Sequence, residues 1–209
     1  MIYISQYNNK NRISKYYSDS NEDSNSNQSK SDLDLTTKNE IYFYSDIFSD
    51  TAFLLNKAIA DLEKSLKIIQ INLDLAKPPP IKLYINSLGG DPYEAFSIVD
   101  RIQNCKVPVY SYVEGKVGSA ATLLSLSAHR RFISKNSVML FHQISSWFSG
   151  TYENHIDERK NLDMIMERVK NFYVGHSKIS MEELEELLKH DLDLSAEECL
   201  KYGFIDQII

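Results

Sequence analysis

IKLYINSLGGDPYEAFSIVDRIQNCKVPVYSYVEGKVGSAATLLSLSAH (81–129) runs twice through one pattern: an apolar strand, a turn of small residues, a helix. IKLYIN (81–86) alternates as a strand does, and SLGG (87–90) is the turn. DPYEAFSIVDRIQNC (91–105) then reads as a helix, with Pro92 near its first turn where a missing N–H costs nothing. VPVYSYVEG (107–115) is the next strand, and SAATLLSLSAH (119–129) a short apolar helix after the turn GKVGS. Repeated strand–helix–strand order predicts an α/β fold with a largely parallel sheet. Crevices at the carboxyl ends of such strands are where sites form, so both small-residue turns are expected to share one crevice.

The reading extends outward on both sides. IYFYSDI (41–47) reads as a strand, and TAFLLNKAIADLEKSLKIIQINL (51–73) as a helix broken before Pro78–Pro80. RRFIS (130–134) and VMLFHQ (138–143) supply two more strands. The C-terminal third is helical: 153–177 is long, charged and amphipathic, and SMEE from Ser180 and SAEE from Ser195 are capping boxes opening two further helices. Asp191 therefore falls in a link between helices. Residues 1–38 differ from all of this. SDSNEDSNSNQSKSD (18–32) holds no apolar residue and cannot offset its ordering entropy, so 1–38 is expected to be a disordered polar extension and 39–209 the folded domain.

The 209 residues suffice for one domain with a substantial core, and 43% hydrophobic with 25% charged residues is a globular balance. A formal charge of −6, with no basic block interleaved with aromatics, argues against nucleic acid. Cys105 and Cys199 stand far apart in no metal-like spacing, which fits reduced thiols in a cytosol-like compartment. MIYISQYNNKNR lacks the apolar core of a signal peptide, and Glu22, Asp23, Asp32 and Asp34 fit an organelle leader poorly. No segment offers the ~20 apolar residues of a membrane span. A cytoplasmic setting is expected, with an organellar stroma or matrix as the other choice.

Three residue types in order carry the chemistry: Ser119, His142 and Asp191. A hydroxyl needs a base to become a nucleophile, and the base needs a carboxylate to hold its tautomer. Each has an ordinary reading too. Ser119 is a helix N-cap, His142 a histidine at the end of an apolar strand, and Asp191 or Asp193 a turn residue. Gly89 and Gly90 are a turn signal whose N–H groups could face a carbonyl oxygen. The other histidines, His129, His155, His176 and His190, fall on helix ends or charged faces and read as solvated.

From Ile41 to Ile209 the chain resembles the proteolytic subunit of the ATP-dependent Clp protease, a serine peptidase family. YINSLGG (84–90) is similar to its Y-I-N-S-P-G-G, GKVGSAAT (115–122) to its G-x-A-A-S-M-G-A, NSVMLFHQI (136–144) to its N-S-x-V-M-I-H-Q-P, and LSAEECLKYGFID (194–206) to its L-S-A-x-E-A-x-x-Y-G-L-x-D. The resemblance implies a fold of repeated β-β-α units, as in the crotonases, with a protruding handle helix. It implies Ser119 as nucleophile, His142 as base, Asp191 rather than Asp193 as acid, and the N–H groups of Gly90 and Ala120 as oxyanion hole. It implies no metal or organic cofactor in this subunit, ATP being used by a partner unfoldase. It further implies heptameric rings stacked as a tetradecamer, cutting unfolded polypeptides to short peptides, with 145–177 at the contact between rings and no membrane or nucleic-acid partner.

The chain departs from the family pattern at Leu88 in place of proline, Gly118 and Ala120 around the serine, and Ile144 in place of proline after His-Gln. These mark a divergent member. They also leave an alternative, a catalytically weak or inactive structural subunit of a mixed ring. A serine–lysine peptidase would instead need a lysine and spare His142.

Overall fold

A computed structural model describes residues 1–5 and 39–209. The predicted elements appear in the predicted order: β2 (Glu40–Tyr44), α1 (Ser49–Asn72), β3 (Ile81–Ser87), α2 (Pro92–Asn104), β4 (Val109–Gly118), α3 (Ala120–Leu126), β5 (Arg130–Ile133) and β6 (Val138–Leu140). The handle helix α4 (Tyr152–Gly175) follows, then α5 (Met181–Leu187), β7 (Asp193–Leu194), α6 (Ala196–Tyr202) and β8 (Gln207–Ile208). Both capping boxes form, Ser180 with Glu183 and Ser195 with Glu198. Three strands differ from expectation: the two-residue β7 and β8, and Ile2–Ser5, which is a strand, β1, paired in parallel with β2. The expected disorder of 1–38 therefore does not hold for its first residues, where Ile4 is buried. The remainder, 6–38, lies outside the described residues.

The main sheet runs β1-β2-β3-β4-β5-β8, every neighbour parallel. Its strands alternate instead of being apolar throughout. Ile81, Leu83 and Ile85 of β3 point into the core while Lys82 and Tyr84 are half-buried, because helices cover one face only. On the open face, register partners Tyr3, Tyr42, Tyr84, Tyr112 and Phe132 stack in one row across five strands, at centroid spacings of 4.6–4.8 Å. Each such pair contributes about 0.5–1.5 kcal/mol beyond its buried area.

The site is aimed by an irregularity in β4. Ile85 pairs with Val113 but Ser87 with Val117, so β4 spends four residues where β3 spends two. The bulge contains Gly115, whose φ of +64° and close approach to the Asn86 side chain suit only glycine. Before the bulge β4 pairs with β5; after it, Lys116, Val117 and Gly118 pair with Val138, Met139 and Leu140 of β6. The strand end leading to Ser119 is thereby swung out of the main sheet and onto β6, the strand that leads to His142.

The helix α4 belongs to the body only through its second half. Ile165, Val169 and Tyr173 are buried, whereas no residue of 152–164 is, so the first half projects as a handle. Among the described residues no helix is long and apolar enough to cross a membrane.

Candidate active site

Ser119 stands between β4 and α3 with φ +54° and ψ −133°, a backbone conformation that a residue with a Cβ adopts only under strain. Its surroundings enforce it. All seven residues of α3 are buried, and the Ser119 N–H donates to the Leu140 carbonyl of β6 at 2.8 Å. The Ser119 carbonyl accepts from the Thr122 hydroxyl at 2.7 Å. With its proton so placed, Thr122 Oγ1 accepts at 2.7 Å from the hydroxyl of Tyr173 on the handle helix. Burial pushes the Tyr173 phenol up to about 12, with the Thr122 hydrogen bond opposing, so it remains a neutral donor. Neither Thr122 nor Tyr173 stood out in the sequence, because a threonine inside a helix and a tyrosine on an amphipathic one are unremarkable until α4 is seen crossing α3.

The glycine turn lies against Ser119. A Cβ on Gly89 would come 2.7 Å from the Ser119 Cβ, and one on Gly90 would come 2.2 Å from the Ile47 carbonyl oxygen. The flanking amides are engaged, Ile47 N–H donating to Gly89 O at 2.7 Å and Asp91 N–H to Ile47 O at 2.9 Å. The Gly90 N–H has no acceptor among the described residues, and Ala120 opens α3, where the first N–H groups lack helical partners. These are the two amides expected to hold an oxyanion.

His142 lies two residues past the end of β6, not inside a strand as predicted. Phe141 anchors it, fully buried, stacked on Phe204 at 4.0 Å and edge-on to Tyr173 at 5.2 Å. The His142 Nδ1 lies 2.6 Å from the Gln143 carbonyl oxygen. A carbonyl only accepts, so Nδ1 is the donor in this bond and Nε2 takes no part in it. Gly90, Ser119, Ala120 and His142 all line one cavity of about 80 Å³, closed on its apolar side by Leu123, Ile144, Val169 and Tyr173.

Asp191 is not drawn into this cavity. It is exposed, in the link between α5 and β7, and has no hydrogen-bond or ion-pair partner among the described residues. Leu140 pairs with Asp193 in the antiparallel β6–β7 ladder, so His142 and Asp191 are each two residues beyond the last pair. The ladder does not reach them. Gln143 N–H donates to Leu188 O at 3.1 Å, so five peptide steps from Leu188 to Asp193 run against three from Leu140 to Gln143. The surplus leaves Asp191 exposed in the link. Asp193 is engaged elsewhere, with Lys116 at 2.7 Å.

The other histidines are less idle than expected. His129 Nδ1 accepts from the Val109 N–H, and His176 closes the end of α4. Cys105 and Cys199 are both free and buried, and burial raises both thiols. Among the described residues no group of three His, Cys, Asp or Glu side chains stands close enough to hold a metal.

Comparison with known proteins adds to this geometry. Residues 36–209 match the Clp protease family model. The chain is 31% identical over 156 residues to the ATP-dependent Clp protease proteolytic subunit 2 of Treponema denticola, covering 74% of this chain and 77% of that protein. It is 28% identical over 170 residues to the ATP-dependent Clp protease proteolytic subunit of Deinococcus radiodurans, covering 79% and 83%. Among solved structures, a ClpP1 point mutant from Listeria monocytogenes superposes with a TM-score of 0.70 at 26% identity, covering 82% of this chain and 91% of that one.

Proposed function

The chain belongs to the Clp protease family, and from that premise we propose that this peptidase cuts peptide bonds with Ser119, His142 and Asp191 in the roles of nucleophile, base and acid. Ser119 Oγ attacks the scissile carbonyl while His142 Nε2 takes its proton. The tetrahedral oxyanion is held by the N–H groups of Gly90 and Ala120, and the histidine then protonates the leaving amine. Water, activated by the same imidazole, releases the acyl group. The carrying observation is that Ser119, His142, Gly90 and Ala120 line one cavity, with His142 donating through Nδ1 and not through Nε2. Asp191 completes the set when the link from Leu188 to Asp193 is drawn in against β6.

The catalytic unit is taken as 39–209, with β1 an added edge. Family membership supports an oligomeric, ring-forming subunit fed by an ATPase. In the finer reading two heptamers stack, the handle helix α4 lies at their contact, and an ATP-driven unfoldase delivers unfolded polypeptide. ATP is consumed in that partner, and this subunit works without a metal or organic cofactor in a cytoplasmic or organellar compartment. The exposed, unpartnered Asp191 favours one second reading, a catalytically weak or silent subunit of a mixed ring.

A fluorophosphonate probe followed by peptide mass spectrometry separates the two. An adduct on Ser119 that disappears in His142→Ala establishes the activated serine and its base. A folded, assembled protein that takes no label is the silent subunit. An adduct that survives His142→Ala but not loss of a lysine makes it a serine–lysine enzyme.

A further inference from the structure

The cation of Lys116 lies on β4 three residues before Ser119, and the carboxylate of Asp193 lies on β7 two residues after Asp191. The ammonium reaches across β6 to both carboxylate oxygens, 2.7 Å to Oδ1 and 3.0 Å to Oδ2. Among the described residues it is the ion pair that joins β4, which leads into Ser119, to β7, which follows the link holding Asp191. A surface pair of this exposure contributes little to stability, so its place calls for another account.

Its neighbours supply one. β7 is two residues long, and its ladder with β6 ends at the Leu140–Asp193 pair, where the link carrying Asp191 begins. Residues directly opposite in a ladder share a face, and alternate residues along a strand return to it. Asp193 therefore emerges on the face of Leu140. When the link straightens, Asp191 and His142 emerge on that same face, each two residues further along. Lys116 draws Asp193 toward β4, the Ser119 side, and so selects the side of β6 on which Asp191 arrives. Two residues span at most about 7 Å, so a small rotation at this root moves the acid in or out of reach of the imidazole. With both oxygens on Lys116, Asp193 is also withheld from His142, leaving the role to Asp191.

We propose that the Lys116–Asp193 pair is a positioning clasp that sets the reach of Asp191 toward His142. This rests on the triad assigned above. Neither residue lines the cavity of Ser119 and His142; both act through Asp191.

The test measures kcat and KM separately for a fluorogenic peptide in the assembled full-length protein. The variants are Lys116→Gln, Asp193→Asn, Lys116→Arg, and the double exchange Lys116→Asp with Asp193→Lys. Asp191→Asn is the reference. Both side chains are more than a third exposed, so the fold is retained, and melting temperatures check it. Each neutral variant should lower kcat roughly 10- to 100-fold at unchanged KM, the scale of a misplaced catalytic group. Lys116→Arg and the double exchange should recover most of the loss. Wild-type kcat in both neutral variants, with Asp191→Asn inactive, overturns the clasp and leaves the triad standing. A double exchange as poor as Asp193→Asn alone also overturns it, because the charge pair is then not the agent. Full activity in Asp191→Asn strikes at the triad itself.

Discussion

Ser119 and Asp191 serve the same proposed reaction from opposite kinds of ground. Ser119 is clamped by a buried helix, a strand-to-strand hydrogen bond from its own amide and a glycine turn pressed against its Cβ. Asp191 stands exposed in a link, joined to the site only through a two-residue strand and one half-exposed ion pair. Strain at the nucleophile persists because packing over-determines it. Asp191 has no such packing, so it is the member of the proposed triad left free to shift. The difference teaches where regulation has room to act: on the acid, not on the nucleophile.

That contrast makes rate and stability diverge between the two regions. Ser119→Ala should lower peptide hydrolysis at least ~10⁴-fold. Ser119→Gly should do the same yet raise the melting temperature, because glycine relieves a φ of +54° that costs on the order of 1–3 kcal/mol. A lowered melting temperature in Ser119→Gly would mean the turn is not strained. Asp191→Asn should cost activity up to ~10⁴-fold, the wrong tautomer being held. Its unfolding midpoint in urea should stay within about 0.5 kcal/mol of the parent, as expected of an exposed side chain without partners. A large destabilisation would show that Asp191 is anchored after all.

Lesser effects fall around the nucleophile. Gly90→Ala must push against the Ile47 carbonyl, displacing an oxyanion donor. Loss of one such donor lowers kcat about 10²- to 10³-fold, and here the melting temperature should fall with it. Thr122→Val leaves the buried Tyr173 hydroxyl without its acceptor, at about 1–3 kcal/mol in chemical denaturation. Restoring the pair's apolar balance with Tyr173→Phe on top of Thr122→Val should recover part of that loss. If the double variant is no better than the single, the hydroxyl has found another partner.

The strongly patterned parts of the chain were legible in advance. Alternation gave β2 and β3, apolar periodicity gave α1 and α2, and the two capping boxes marked the starts of α5 and α6 to the residue. Ser119, His142 and Gly90 converge as expected because two strand ends open into one crevice. What escaped was set by pairing rather than by pattern. β7 and β8 are two residues each, too short for any period, and the β4 bulge falls where β4 leaves β5 for β6, a change of partner that no periodicity marks. The distance of Asp191 from the cavity escaped for the same reason. Sequence places an acid in a link, but the link's excursion depends on which Leu188 and Gln143 groups happen to bond.

β1 inverts the contrast between nucleophile and acid, being ordered yet far from the chemistry. Ile2–Ser5 pairs with β2 at the sheet edge, buries Ile4, and stacks Tyr3 on Tyr42 at 4.8 Å, the first rung of the row that ends at Phe132. Tyr3 is nearly half exposed, so only about half of it is withdrawn from water. Tyr3→Ala should therefore lower stability by only about 1 kcal/mol, read from the denaturant midpoint, while kcat and KM stay at their parental values. The rungs are separate pairs, each held by its own strand register, so losing the outermost one should leave the Tyr84–Tyr112 stack intact. A change in kcat would instead mean that order travels along the row from the edge to β4 and so to Ser119. In that case the rigidity of the nucleophile would be a property of the whole sheet, not of the turn and helix around it.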